Sequence, residues 1–212
     1  MRYALVLILI FPISNVLIAQ SAQWRFLGGV KMSSKWQQRQ YGIYAGDVYS
    51  QIEDTEPLNL ATYSLIYTKK IQQKWEWSVG LNYNLKGYKI TGTLHDFTVG
   101  SRAFKENEIR QYAGILAGVG YLLFEKKSWR IGTELFINPE IELQGYHDVK
   151  KLAVSSVSLI NFEKAFNKHF SIVLNPFFET SLMRYNNPSS IFGRNRYNPF
   201  GYGLIFGFKY RK

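Results

Sequence analysis

The sequence predicts an all-β protein, an eight-stranded antiparallel up-and-down transmembrane β-barrel with short periplasmic turns and longer extracellular loops. Three observations carry that expectation. Long stretches alternate bulky apolar residues with small or polar ones, which is the period of a strand. Turn chemistry divides the chain into about eight such stretches, the even number that bacterial barrels require. Tight turns alternate with long polar connections, and aromatic residues gather beside the tight turns.

The bulk composition agrees. The chain has 212 residues, 46% of them apolar and 19% charged, which is a folding composition. It holds 15 Tyr, 15 Phe and 5 Trp, an aromatic excess of the kind found in membrane-interface girdles. There is no Cys, so disulfides, thiolate metal sites, a cysteine nucleophile and a lipidated cysteine are excluded. A net charge of +11 would point to nucleic acid in a cytosolic protein. The N-terminus points to another compartment, and no nucleic-acid partner is expected.

Met1-Arg2-Tyr3 precedes an apolar run from Ala4 to Ile13 and a small-x-small site at Ala19-Gln20-Ser21. Those are the parts of a secretory signal peptide. Pro12 and Asn15 interrupt the run, which falls short of the ~20 apolar residues of a spanning helix. Residues 1–21 are therefore expected to be a signal peptide and residues 22–212 the barrel domain. A chain that enters a membrane after export without a spanning helix must do so as strands.

The first strand is expected from Trp24 to Met32, with Trp24, Phe26, Val30 and Met32 on one face and Arg25, Gly29 and Lys31 on the other. A polar stretch from Ser33 to Pro57 reads as a loop. The second strand runs from Leu58 to Lys69 and breaks at Ile71-Gln72-Gln73. The third sets Trp75, Trp77, Val79, Leu81, Tyr83 and Leu85 against Glu76, Ser78, Gly80, Asn82, Asn84 and Lys86. Past Lys86 the bulk falls on Tyr88 and Ile90, so a bulge is expected at Gly87. A second polar loop then runs to about Glu108.

The fourth strand, Ile109 to Phe124, is glycine-rich and ambiguous in its facing. Glu125-Lys126-Lys127 turns the chain. The fifth, Trp129 to Gln144, sets Arg130, Gly132, Glu134, Phe136, Asn138, Glu140 and Glu142 opposite Trp129, Ile131, Leu135, Ile137, Pro139 and Ile141. A link at His147-Asp148 leads to the sixth, Leu152 to Phe166, whose alternation is poor. Asn167-Lys168 turns into the seventh, His169 to Tyr185, with Phe170, Ile172, Leu174, Phe178 and Leu182 aligned. Residues 186–198 read as a loop. Pro139 and Pro176 each remove a ladder hydrogen bond and are expected where strands leave the bilayer.

The last strand, Phe200 to Tyr210, is the most regular. Phe200, Tyr202, Leu204, Phe206, Phe208 and Tyr210 alternate with Gly201, Gly203, Ile205, Gly207 and Lys209. Its bulky face is expected to meet lipid and its glycine face a crowded lumen. It is expected to pair antiparallel with Trp24 to Met32 and so close the ring. A soluble lipocalin-like barrel would have the opposite facing, apolar inside. Aromatics at strand ends and Gly, Ser and Asn on the other face favour the membrane form. The tight turns place Lys beside an aromatic, so Trp24, Trp75, Trp77, Trp129, Phe170 and Tyr210 are expected to form a periplasmic girdle.

The stretch Gly80-Leu81-Asn82-Tyr83-Asn84-Leu85-Lys86-Gly87, with the Tyr-Gly-Leu-x-x-Gly-x-x-Tyr ending at Tyr210, resembles PorT-type outer-membrane β-barrel proteins. The chain departs from that family in lacking an Ile-Pro-Leu type stretch in strand four and in ending on Arg211-Lys212. The resemblance implies a Gram-negative outer-membrane location. Its members mostly lack a defined activity, and some assist protein secretion.

Charged residues on the lumen face are Arg25, Lys31, Glu76, Lys86, Arg130, Glu134, Glu140, Glu142, Glu179 and Lys209. Both signs are present, and a barrel of ~8 strands is filled by its own side chains, so an internal ion-pair plug is expected. A narrow, porin-like pore or transporter for small or hydrophobic solutes is the alternative. At the outer rim, His95-Asp96 and His147-Asp148, with Ser101 and Ser155 near in sequence, carry the residue types of a hydrolase or acyltransferase. Their convergence is not implied by the sequence, and no enzyme is expected. No phosphate loop, metal spacing or cofactor motif is present. Expected partners are outer-membrane lipid, lipopolysaccharide through Arg102, Lys105, Arg110, Arg184, Arg194 and Arg196, and a protein bound by the extracellular loops.

Overall fold

The computed structural model describes residues 22–37, 43–45, 48–144, 152–183, 185–187 and 195–211. Their strands are β1 (Gln23–Gln37), β2 (Ile43–Ala45), β3 (Val48–Lys70), β4 (Trp75–Asp96) and β5 (Gly100–Lys126). They continue with β6 (Trp129–Gln144), β7 (Leu152–Ala165), β8 (Phe170–Ser181), β9 (Tyr185–Asn187) and β10 (Asn195–Arg211). Eight of them, all but the three-residue β2 and β9, pair with their neighbours in an antiparallel ring.

The ring closes where expected. Trp24 faces Tyr210, Phe26 faces Phe208 and Lys31 faces Gly203 across β1 and β10, while Trp24 faces Tyr67 on β3. No barrel edge is left open at that seam, which removes the unpaired backbone a bilayer would penalise. Among the described residues no helix is long and apolar enough to cross a membrane.

The facing is that of a membrane barrel. Phe26, Leu81, Phe206 and Phe208 are 57–62% exposed on the outer wall, while Arg25 and Lys209 are 0% and 1% exposed inside. The glycines of β10 have a specific task. A Cβ at Gly203 would collide with the backbone carbonyl of Val30, and one at Gly207 with that of Phe26. The β1–β10 seam is wound too tightly for a side chain there. At Gly114 the obstacle is instead the lumen filling, because a Cβ would lie 2.5 Å from Asn138 and 2.6 Å from Asn82.

Several boundaries differ from those the sequence implies. The polar stretch after the third strand is not a loop: β4 and β5 continue as an unbroken hairpin to a turn at residues 97–99. The stretch from Ser33 to Pro57 is largely strand as well, since β1 extends to Gln37 and β3 begins at Val48. In the β4–β5 hairpin, cross-strand polar pairs such as Tyr88 with Glu108 and His95 with Ser101 accompany a ladder that shows no apolar alternation in β5 before Ile109. β8 ends at Ser181, four residues before the expected Tyr185.

No bulge lies at Gly87. The β4–β5 register runs straight through it, and Asn84, Lys86 and Tyr88 all face inward. The irregularity is in β3, between Pro57 and Thr62, opposite Tyr88 and Asn84. Gly87 donates its N–H to Ser33 Oγ of β1 at 3.0 Å, within this break in the β3–β4 ladder. Tyr88 carries bulk because it fills the outer end of the lumen together with Tyr112 and Ala153.

Pro139 and Pro176 lie inside paired strands, opposite Val154 and Leu204. Each faces outward beside a local gap in the ladder on its other side, where a missing N–H costs least.

Candidate functional site: the filled lumen and the projecting sheet

Strict alternation along β1, β6 and β10 aims every second side chain inward, so charge placed on one parity converges in the barrel. It does so in two layers. Nearest the tight turns, Arg25 lays its guanidinium on both oxygens of Glu134, at 2.5 and 2.6 Å. Thr68 at 3.0 Å and Ser78 at 3.2 Å accept from the same guanidinium, and Asn161 donates to Glu134 at 3.2 Å. Beside this, Glu163 receives Lys209 at 3.0 Å, Arg211, and Arg130 at 3.9 Å. Arg130 also faces Glu76 at 3.8 Å and Glu125 at 3.1 Å.

The second layer lies toward the long connections. Glu179 takes Lys31 at 2.7 Å and Lys86 at 2.6 Å. Lys86 also pairs with Glu140, and Lys31 donates to Asn84. Asn84 donates to Glu140 at 3.1 Å and to Glu179 at 3.0 Å, and Ser155 to Glu140 at 3.2 Å. Glu142 pairs with Arg110 at 3.6 Å, and Arg110 with Glu108 at 2.5 Å. Tyr88 closes this group through its hydroxyl, 2.5 Å from Glu108.

Between the layers sits an apolar septum. Leu27, Ile66, Leu116, Phe136, Val157, Leu159, Val173, Phe177 and Ile205 form one buried cluster across the lumen. The cavity left in it has a volume of about 20 Å³, room for a water molecule and little more. Cavities of about 20 Å³ and about 10 Å³ lie in the layers below and above. Charges on either side are thus separated by apolar side chains and find their ion-pair partners within their own layer.

All ten charged residues expected to face the lumen do so, though they divide between two clusters. Glu140 and Glu142 share a face and not a partner. Sequence reasoning missed Glu163, which is 1% exposed at the centre of the lower cluster, and also Glu108 and the septum. Counting back in steps of two from Asn167-Lys168 would have put Glu163 inside. Two assignments are corrected. Arg110 is buried in the lumen and cannot meet lipopolysaccharide, because β5 turns its side chain toward Glu108 and Glu142. Ser155 is fully buried on Glu140, far from any outer-rim catalytic role.

At the tight-turn end, Trp24, Tyr67 and Trp77 are in successive ring contact at 5.1 and 5.6 Å. Trp75 meets Tyr121 at 4.9 Å, Phe170 meets Tyr210 at 5.2 Å, and Lys164 sits 4.4 Å over Trp129. An aromatic belt therefore surrounds this end.

At the other end, β3, β4 and β5 project as a sheet. β4 and β5 measure 22 and 27 residues, where ~9–11 tilted residues cross a bilayer. Asp96 shapes the tip by accepting from the N–H of Thr98 at 2.8 Å, its hydroxyl at 2.5 Å, and the N–H of Val99 at 3.2 Å. Those bonds hold the Asp96 carboxyl below the usual range. Gly100 follows with φ +99°, a conformation that favours glycine. His95 Nδ1 and Ser101 Oγ lie 2.7 Å apart across the hairpin, but Asp96 is engaged in the turn and does not orient His95. Lys89 pairs with Glu56 and is held above the ordinary lysine value by it, while contact with Lys89 lowers Lys105. Arg102 and Lys105 are exposed on this hairpin. His147, Asp148, Arg184, Arg194 and the side chain of Arg196 lie outside the described residues. No group of metal-ligating side chains occurs among the described residues.

This architecture matches known structures. The crystal structure of outer membrane protein OprG from Pseudomonas aeruginosa superposes with a TM-score of 0.51, covering 92% of this chain and 96% of that one at 11% identity. The fold is that of an eight-stranded outer-membrane β-barrel. An apolar outer wall on that fold places the protein in the outer membrane. Neisserial surface protein A also aligns, with a TM-score of 0.49, 8% identity, and coverage of 91% and 99%. No protein-family model and no curated protein matches the sequence.

Proposed function

We propose that this protein is a closed, non-catalytic barrel whose work is done by its extracellular sheet, with residues 1–21 removed on export. The observation that carries this reading is the septum around Phe136. It fills the lumen between two ion-pair layers, and the spaces left are too small for a solute. In this reading the charged residues of the lumen are structural. Buried pairs of opposite sign fix the register of strands distant in sequence, and they need no external ligand.

The aromatic belt and the neighbouring lysines anchor the periplasmic end in lipid headgroups. Arg102 and Lys105 meet lipopolysaccharide or a protein partner outside. The Gly80-to-Gly87 stretch keeps a PorT-type accessory role open to test. A hydrolase reading gains nothing from His95, since the neighbouring carboxylate is committed to the turn. Two measurements test the proposal. Cysteine at Val99 should react with an impermeant maleimide on intact cells, and cysteine at Lys127 only after permeabilisation. Proteoliposomes should not swell in small sugars; swelling, or reversed labelling, would overturn it.

A further inference from the structure

Above the rim the wall of the barrel opens into a sheet whose β5 edge has no strand partner among the described residues. β5 pairs with β4 from Gly100 down to Tyr121, but with β6 only from Gln111 downward. Among the described residues, the stretch 100–109 has a strand partner on one side only. Half of its N–H and C=O groups point away from β4, in the plane of the sheet. Natural edges are usually blunted by brevity, bulges, proline or charged side chains, and of these only charge is present here. This one is long, in continuous register with β4, and free of proline. Ser101, Arg102, Ala103, Lys105, Glu106 and Asn107 are all exposed, so neither face of the edge is covered.

Its charge limits what can pair with it. The half nearest the tip carries Arg102 and Lys105, with Lys89 alongside on β4, and the acid Glu106 follows. Two copies in one membrane are related by an axis along the membrane normal, so their β5 edges would run parallel. Arg102 would then oppose Arg102, and Lys105 oppose Lys105, which destabilises a strand pair. A segment from another molecule has no such constraint and can run antiparallel. At the apex Phe97 and Val99 are 73% and 86% exposed, the ends of an apolar contact that such a segment would complete.

We propose that this edge of β5 takes up an extended acidic segment of another protein by antiparallel strand addition, with its carboxylates opposite Arg102 and Lys105. Main-chain hydrogen bonds supply the binding and the two cations the register. The inference rests on the reading of the sheet as the working, extracellular part of the barrel.

The test uses the full refolded chain in detergent micelles and a synthetic peptide of about ten residues, Val and Thr throughout except for two Glu three positions apart, the spacing of Arg102 and Lys105. Amide exchange across residues 100–109 should slow on adding the peptide. Arg102→Glu with Lys105→Glu should weaken binding tenfold or more, while leaving the heat-shifted gel band unchanged. A peptide N-methylated at alternate residues should fail in one of its two registers. Unchanged exchange at 100–109, undiminished binding to the charge-reversed chain, or tolerance of N-methylation in both registers would each overturn the proposal. Sugar-dependent swelling would instead sink the closed-barrel reading and leave the edge result intact.

Discussion

Arg25 of β1 spans the lumen to Glu134 of β6 with two hydrogen bonds, joining residues 109 positions apart in the chain. Neither strand is the other's neighbour in the ring. Removing one partner leaves a buried charge facing hydroxyls and apolar side chains. Glu134→Ala should therefore destabilise the barrel by about 3–5 kcal/mol. The double change Arg25→Met, Glu134→Leu should recover most of that loss. Urea unfolding in lipid vesicles measures both; a single variant as stable as the parent would show that the pair does not hold the wall.

Phe136 is the more deeply buried of the two phenylalanines in the septum, 1% exposed against 7% for Phe177. Phe136→Ala removes its packing and should cost about 3–5 kcal/mol. It should also admit water between the charge layers. Swelling of proteoliposomes by a small sugar, absent in the parent and present in the variant, is the expected result.

What could be read in the sequence follows from which residues alternate cleanly. Lys209 and Arg25 stand between large apolar neighbours on strands without a phase change, so their inward facing was legible. Glu163 was not, because β7 mixes Ser, Val and Leu on both faces. The septum was hidden for a related reason. Leu27, Phe136 and Phe177 are apolar residues on a face read as polar, and each looks like noise until the ring brings them together. The projecting hairpin was unreadable because residues 100–108 lack apolar alternation. It is held by register with β4 and by pairs such as Tyr88 with Glu108, both separated by a turn.

Gly207 lies where β10 crosses Phe26 of β1, and a Cβ there would meet the Phe26 carbonyl. Backbone is the obstacle, so no rotamer relieves it. Gly207→Val should prevent closure of the β1–β10 seam. Gel mobility before and after boiling reads this: the parent should shift on heating, and the variant should run as unfolded in both lanes.

Asp96 gives the hairpin a pH limit. Its carboxyl is held low by Thr98 and Val99, so its folded value lies below its unfolded one. The stabilisation is then complete above the unfolded value and is lost as pH falls through the folded one. Amide exchange at Thr98 and Val99 should accelerate as the pH is taken below the carboxylate range, after correction for intrinsic rates. Asp96→Asn should remove that dependence while the barrel amides stay protected.

The filled lumen is tested most directly by single-channel recording of the intact chain in planar bilayers. A septum between two ion-paired layers predicts a silent membrane, with no steady openings across the voltage range. Steady, reproducible openings from the folded, heat-modifiable protein would contradict it.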